Sequence, residues 1–326
     1  MRNAVIANER AIARHTNRRG ILIAYRPFQN TCISNTMTGE IAALTTALSW
    51  AIAARLFRHL GGSFSALSMN LWKGLFTVAV LTVVILLFVP LSSLPAEAYA
   101  WLLLSGVIGI GIGDTFFFLA LRRIGDSQTV LVAETLAPIF AALLAMVWIA
   151  EWLSWQQWLG VALVIVSVDM VIKSKRRFAT EIVPSVGYLY AVIAAVCQAI
   201  GAVISRDILT GYDIGAAEAA NWRLIGGLVV VALFMLWRRE KWLPKSREPA
   251  KMWGMFAIAT LLGTVFAMYF QMLGFANAKA GIVQTLIATS AIFSLGVAAV
   301  MGEKIHRSTV GWSLAALAGV AVLVAT

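Results

Sequence analysis

The chain has 326 residues, of which 60% are hydrophobic and 13% charged, with a net charge of +11 and a mean hydropathy of +0.85. Soluble domains carry about twice that share of charged residues, because their surfaces face water. The composition argues against a cytosolic enzyme, a nucleic-acid binder and a secreted disulfide scaffold, and it predicts a protein with several membrane spans. The two cysteines, Cys32 and Cys197, and three scattered histidines form no metal-binding pattern, so we expect neither metal nor cofactor.

Residues 1–36 form a basic segment that contains six arginines and one acidic residue, Glu9. The segment lacks the apolar core and the small-residue cleavage site of a signal peptide. Two interpretations remain open at this point. The segment is either a basic cytoplasmic tail, or translation begins at Met37, immediately before the first apolar run.

Ten apolar runs follow, and each is close to the roughly 20 residues that a helix needs to cross the hydrocarbon of a bilayer. Backbone groups in lipid must pair within their own segment, which favours helices, and the runs show none of the alternation typical of β-barrel strands. Short breaks with turn or charge signals separate them, such as RRIGD at 122–126. We number them spans 1 to 10, at about 40–60, 67–90, 99–121, 127–149, 156–173, 187–206, 217–237, 252–274, 281–301 and 308–325.

The basic residues alternate between the loops. Sixteen Lys and Arg residues lie in the loops after the odd-numbered spans, whereas the loops after even-numbered spans hold only Arg206 and Lys279. Because loops rich in Lys and Arg stay in the cytoplasm, the loops after odd-numbered spans are predicted to be cytoplasmic, with both ends of the helical body facing outward. The bases of residues 1–36 oppose this orientation.

The sequence also contains an internal repeat. The landmarks recur at separations of 148 to 152 residues: Trp50 and Gln198, Trp72-Lys73 and Trp222-Arg223, Gly113 and Gly263, and Glu151 and Glu303. This spacing predicts two five-span units, 37–178 and 179–326. A unit with an odd number of spans enters the membrane in opposite senses in its two copies. Such inverted repeats are typical of secondary transporters, whose substrate site lies near the midplane between the halves.

Several motifs in these units resemble the drug/metabolite transporter superfamily, specifically the ten-helix proteins with two EamA domains. The resemblance covers about 37–326 and includes ALTTALSWAIA in span 1, Trp72-Lys73, Ala120-Leu121, Pro138 and the pair Glu151 and Gly160. The second unit repeats it with Arg223, Glu303 and Gly311, but has Ser290 or Ala291 in place of Pro138. The resemblance implies an all-α polytopic membrane protein with ten transmembrane helices in two inverted repeats. The substrates that it implies range from amino acids and other metabolites to cationic drugs and nucleotide sugars.

Four ionisable residues stand out inside the spans: Lys73, Asp114, Glu134 and Arg223. A charge at mid-depth costs at least about 2.5–3.5 kcal/mol, so such a residue normally faces a cavity or a partner. Lys73 and Arg223 occupy equivalent positions in the two units. They are candidates for binding an anionic group of a substrate, and the alternative is a structural ion pair with Asp114 or Glu134.

The two carboxylates have further alternatives. Pro138 removes the donor for the carbonyl of Glu134, so a cation or proton site is one interpretation, and a buried ion pair is the other. Asp114 follows the glycine run of span 3, in which Gly109 and Gly113 predict close helix packing, and it has either a transport role or a capping role.

Neutral polar and aromatic side chains complete the candidate site. They are Trp50, Gln198, Asn221, Tyr269, Gln271 and Gln284. Trp50 is interpreted either as an aromatic wall of a pocket or as a packing residue. Glu151 and Glu303 lie at span ends, where structural anchoring is the favoured interpretation.

The function predicted is a secondary transporter, an exporter of a small metabolite such as an amino acid, working by alternating access with the proton as candidate coupling ion. A multidrug or quaternary-amine exporter is the first alternative, and a non-transporting or lipid-handling membrane protein is the second. The sequence contains no Walker A, HExxH or GxSxG motif, so we expect no enzyme. The predicted location is the bacterial inner membrane, and the predicted partners are the substrate and the bilayer, without nucleic acid.

Overall fold

The computed structural model of the protein describes residues 36–60, 63–89, 92–175, 185–244, 248–300 and 307–325. The basic segment 1–35 and Glu303 lie outside these ranges. Every regular element within them is helical, and the described ranges contain no strand. The all-α architecture predicted from hydropathy is therefore confirmed.

The helices follow the ten predicted spans to within a few residues at most ends. Seven are long and apolar enough, by length and composition alone, to cross a membrane. The bounds are Thr36–Leu60, Ala66–Phe88, Ala96–Gly106 with Val107–Ile112, Gly113–Trp148, Trp155–Lys175, Ser185–Gly211, Ala216–Arg238, Pro249–Thr260 with Leu261–Phe266 and Ala267–Asn277, Ala280–Ala288 with Ser290–Val300, and Arg307–Ala325.

The sequence predicts a break in the helix at 122–126, and this prediction is wrong, because Gly113–Trp148 is helical throughout. The chain nevertheless reverses direction between Trp101 and Trp148. The rings of Trp101 and Trp148 lie 5.9 Å apart, whereas a straight helix would separate residues 47 positions apart by about 70 Å. Spans 3 and 4 are therefore two separate crossings joined by a helical reversal, and the order of spans is as predicted.

Spans 3 and 8 each contain a six-residue π-helix that the sequence did not predict, at Val107–Ile112 and Leu261–Phe266. Short π-helical segments widen a helix locally and are frequent at functional sites. Spans 3 and 8 are equivalent in the two repeats, so each repeat contains one such segment, although the two segments begin 154 residues apart rather than the 150 of Gly113 and Gly263.

Helices of one repeat pack on helices of the other in reciprocal pairs. Span 1 packs on span 8 and span 3 on span 6, while spans 2, 4 and 5 pack on their own counterparts, spans 7, 9 and 10. This reciprocity is what a pseudo-two-fold axis between inverted repeats produces. At the contact of spans 3 and 6, a Cβ on Gly113 would lie 3.3 Å from Cβ of Cys197, which supports the predicted glycine packing.

The loops after spans 1 and 7 lie on the same face of the protein. Ser65 Oγ donates to Glu240 Oε2 at 3.2 Å. Ser68 Oγ and Trp72 Nε1 both donate to the carbonyl oxygen of Trp242, at 2.7 and 2.8 Å. Because six spans separate the two loops, their proximity agrees with the inverted arrangement.

The loops after spans 4, 6 and 8 meet on the opposite face. Glu151 Oε1 accepts from Arg206 Nε at 2.7 Å, and its Oε2 accepts from the backbone N–H of Ala280 at 3.1 Å. Arg206 Nη1 also donates to the carbonyls of Phe275 and Ala276, at 2.7 and 2.9 Å. Glu151 thus anchors three loops, which agrees with its structural interpretation.

Replacing Glu151 with Ala should lower the free energy of unfolding by about 3 kcal/mol, because the buried charge of Arg206 would lose its acid. Both side chains of this pair are only 14% exposed. The matched control is Glu248→Ala, which removes an exposed pair with Lys251 and should cost under about 1 kcal/mol. Denaturant unfolding in detergent measures both, and equal stabilities of the two variants would contradict the anchoring role.

Candidate functional site

A cavity of about 150 Å³ lies between the two repeats. A cavity of this size holds a molecule of about six heavy atoms, comparable to benzene, before any side chain moves. Spans 1, 2, 3, 6, 7, 8 and 9 line it with Trp50, Asn70, Lys73, Gly74, Gly109, Ile110, Asp114, Gln198, Arg223, Leu224, Gly227, Leu228, Val231, Gly263, Thr264, Met268, Gln271 and Gln284.

Equivalent positions of the two repeats contribute to this lining in pairs. The pairs are Trp50 and Gln198, Lys73 and Arg223, and Asp114 and Thr264. Both π-helical segments also reach the cavity, through Gly109 and Ile110 in span 3 and through Gly263 and Thr264 in span 8. The cavity therefore lies on the pseudo-two-fold axis, where inverted-repeat transporters hold their substrates.

The structure brings six of the nine predicted site residues together at the cavity. They are Trp50, Lys73, Asp114, Gln198, Arg223 and Gln271. Gln284, the sixth of the neutral candidates, also lines it.

Asn221 and Tyr269 are not among the residues that line the cavity. Asn221 Nδ2 donates to Thr82 Oγ1 at 3.0 Å and ties span 7 to span 2. Tyr269 is 37% exposed, and its ring contacts that of Phe270. Each is two positions from a lining residue of the same helix, and a two-residue step turns a side chain by about 200°.

The side chain of Glu134 lies outside the described part of the structure, so its position relative to the cavity is not described. The predicted role of Glu134 therefore stays a prediction.

Sequence reasoning missed Asn70 and Thr264. Asn70 Nδ2 donates to Asp114 Oδ2 at 3.4 Å, at the outer limit of a hydrogen bond. Two signals would have found them. Asn70 lies three residues before Lys73 on the same helix face, and Thr264 is the repeat counterpart of Asp114.

Arg223 is 4% exposed, and the protein binds one end of its guanidinium group. Nη1 donates to the carbonyl oxygen of Gly201 at 2.9 Å and to Ser205 Oγ at 2.6 Å. Nε has no hydrogen-bond partner among the described residues. The Nε–H of this buried guanidinium therefore donates no hydrogen bond to a described protein group.

The charges that line the cavity are only partly compensated. Asp114 lies within electrostatic range of Lys73 and Arg223, yet no ion pair within 4.0 Å joins it to either of these two described bases. Two bases and one acid leave an excess of one positive charge among the described lining residues. This arrangement favours a ligand that carries an anionic group.

A model of the EamA-like transporter family matches residues 37–172 and 185–325. The chain belongs to this family. It is therefore a multi-pass membrane protein of a transporter family, and the two matched regions fall in the two structural repeats.

The chain is also similar to an uncharacterized transporter of Archaeoglobus fulgidus, with 27% identity over 170 residues, which are 52% of this chain and 59% of that protein. The match thus spans little more than half the length of that relative. A solved crystal structure has a similar fold, with a TM-score of 0.73 and 19% identity over 88% of this chain and 96% of that chain. This last likeness shows the fold alone.

Replacing Gly106 with Ala should strongly destabilise the protein, because a Cβ there would lie 1.7 Å from the carbonyl oxygen of Arg223. Overpacking of this kind costs about 1–3 kcal/mol or more. The control is Gly254→Ala, where a Cβ meets nothing within 4 Å. The Gly254 variant should have the same melting temperature as wild type or a higher one, because alanine stabilises a helix by up to about 1 kcal/mol relative to glycine. Thermal unfolding in detergent compares the two, and a Gly106 variant as stable as the control would contradict the tight crossing of spans 3 and 7.

Proposed function

We propose that the protein is a secondary transporter that moves a small, carboxylate-bearing metabolite such as an amino acid by alternating access. The observation that carries this proposal is the pairing of Lys73 with Arg223 in one cavity between inverted repeats. In such a fold, rocking one repeat against the other exposes the same site first on one face and then on the other.

The lining chemistry supports a zwitterion. Arg223 and Lys73 supply positive charge for a carboxylate, and Asp114 supplies negative charge for an amine. Gln198 and Gln271 offer both donors and acceptors for further polar groups. The volume of about 150 Å³ limits the substrate to a small molecule.

The charge balance disfavours the quaternary-amine alternative. Trp50 and Asp114 are residue types that bind cations. However, the described lining residues carry an excess of one positive charge, which favours a ligand with an anionic group over a purely cationic one.

Direction, coupling and location form the finer part of the proposal. The resemblance to exporters implies outward transport. The loops after spans 1 and 7, which share one face, are among the loops rich in basic residues, and this supports a cytoplasmic position for that face in a bacterial inner membrane. Asp114 and Glu134 are the proposed proton-binding groups. A carboxyl group inside the membrane costs free energy, and such residues usually mark functional sites.

Replacing Arg223 with Gln should lower counterflow of an amino acid at least about tenfold, because a charged contact with the carboxylate is lost. The measurement is counterflow in liposomes with the common L-amino acids and their amides, which lack the carboxylate charge. Lys73→Gln serves as a second variant, and its unfolding curve shows whether it folds.

The matched control is Arg238→Gln. Arg238 is exposed, and its guanidinium carbon lies 5.6 Å from the centre of the Phe234 ring. It should transport like wild type. Equal activity of the Arg223 and Arg238 variants would contradict the anion-binding role, and a wild type without any carboxylate counterflow would contradict the proposed substrate class.

Replacing Glu134 with Gln should weaken uptake driven by a pH gradient but keep counterflow, because exchange needs no net proton movement. The amide cannot bind and release the proton. The control is Glu97→Gln at the exposed start of span 3, which should behave as wild type. An unchanged response of the Glu134 variant to the pH gradient would remove Glu134 from the coupling step.

A further inference from the structure

A group of small and hydroxyl-bearing residues surrounds the guanidinium of Arg223. Ser205 Oγ accepts from Nη1, and the same oxygen lies 2.7 Å from the carbonyl oxygen of Gly201 and 3.3 Å from Ser105 Oγ. Both serine side chains are fully buried. Ser105 belongs to span 3 of the first repeat and Ser205 to span 6 of the second, so the group spans the boundary between the repeats. We call Ser105, Gly109, Gly201 and Ser205 the arginine socket.

The glycines of the socket leave room for the planar guanidinium. A Cβ on Gly109 would lie 2.9 Å from Arg223 Nη2, and one on Gly201 would lie 3.1 Å from the same atom. Both distances are shorter than a comfortable contact, so alanine at either position would push the guanidinium away. The glycines that bring spans 3 and 6 together therefore also shape the space for this cation.

The contacts leave part of the buried guanidinium without a described acceptor. The two hydrogens of Nη1 have two acceptors, Gly201 O and Ser205 Oγ. Nε has no partner among the described residues. Nε and Nη2 together form the side edge of an arginine, whose spacing matches the two oxygens of a carboxylate.

The first repeat does not reproduce the socket around Lys73. At the repeat separations of 148 and 150 residues, the four socket residues correspond to Ala53, Phe57, Met255 and Ala259. All four are apolar, and Lys73 Nζ makes no hydrogen bond or ion pair with a described residue. Hydroxyl and carbonyl acceptors therefore hold the guanidinium of Arg223, whereas no such acceptor among the described residues holds the ammonium group of Lys73.

We propose that Ser205, supported by Ser105, is a positioning residue that fixes the guanidinium of Arg223 with its Nε edge available to the carboxylate of the substrate. This inference rests on the proposed transport function. Without the hydroxyl, one buried Nη1 hydrogen loses its acceptor, and the guanidinium rotates toward another partner. The second repeat then supplies the oriented cation for the carboxylate, and Lys73 supplies positive charge without fixed geometry.

The test is Ser205→Ala in liposomes, assayed by counterflow with the L-amino acids and their amides. The KM for the acids should rise about tenfold, with little change in maximal rate, because the carboxylate contact is misaligned. The KM for the amides should stay near its wild-type value. Ser205→Thr, which keeps the hydroxyl, should restore affinity for the acids.

The matched control is Ser167→Ala, which removes a buried hydroxyl on span 5 that has no partner in the described structure and does not line the cavity. It should leave both classes of substrate unaffected. Equal losses for acids and amides in Ser205→Ala would overturn the positioning role, because a purely structural defect affects both. An unchanged KM for the acids would overturn it as well.

A second measurement tests the socket independently of transport. With arginine-selective 15N labelling, a guanidinium held at Nη1 gives separate Nη1 and Nη2 resonances, because rotation about Cζ–Nε is slow. The Arg223 signals, assigned by their loss in Arg223→Gln, should be separate in wild type and averaged in Ser205→Ala. Separate signals in both proteins would overturn the inference. If the signals are separate in wild type and averaged in Ser205→Ala, but wild type transports no amino acid, the result would contradict the proposed function alone.

Discussion

Hydrocarbon offers no hydrogen-bond partner, so each span of this protein must satisfy its own backbone groups, and each charge within it needs a protein or water contact. Ten helices meet the first requirement, and the cavity between the repeats meets the second for Lys73, Asp114 and Arg223. The position of the cavity follows from the same constraint, because polar groups from both repeats share one interior. The fold thus places these costly residues in one cavity between the two repeats.

The two repeats place equivalent positions at the cavity, but the residue types at several of these positions differ between the repeats. Lys73 and Arg223 both line the cavity as repeat counterparts, but Asp114 is matched by Thr264 and Trp50 by Gln198. In transporters with inverted repeats, the symmetry between the halves allows one site to be reached from either face. The two halves of the cavity lining therefore differ in charge and polarity.

Contacts on both faces join one repeat to the other, but they differ in kind. On the base-rich face, Ser68 and Trp72 donate to one backbone carbonyl, next to an aromatic cluster that includes Phe64 and Trp253. On the opposite face, the contact is the largely buried ion pair of Glu151 and Arg206. Opening either face would break its own set of contacts, so the two faces oppose opening through different interactions.

The sequence by itself determined the ten spans, the inverted duplication and most of the charged candidates, because hydropathy, loop charge and repeat spacing are properties of local segments. Only the tertiary structure decided which helix faces meet: it excluded Asn221 and Tyr269 from the cavity and added Asn70 and Thr264. It also revealed the helical reversal between spans 3 and 4, the paired π-helical segments and the serines behind Arg223. These features depend on contacts between residues far apart in the chain, such as Ser105 and Ser205, and no local pattern encodes the rotation of one helix against another.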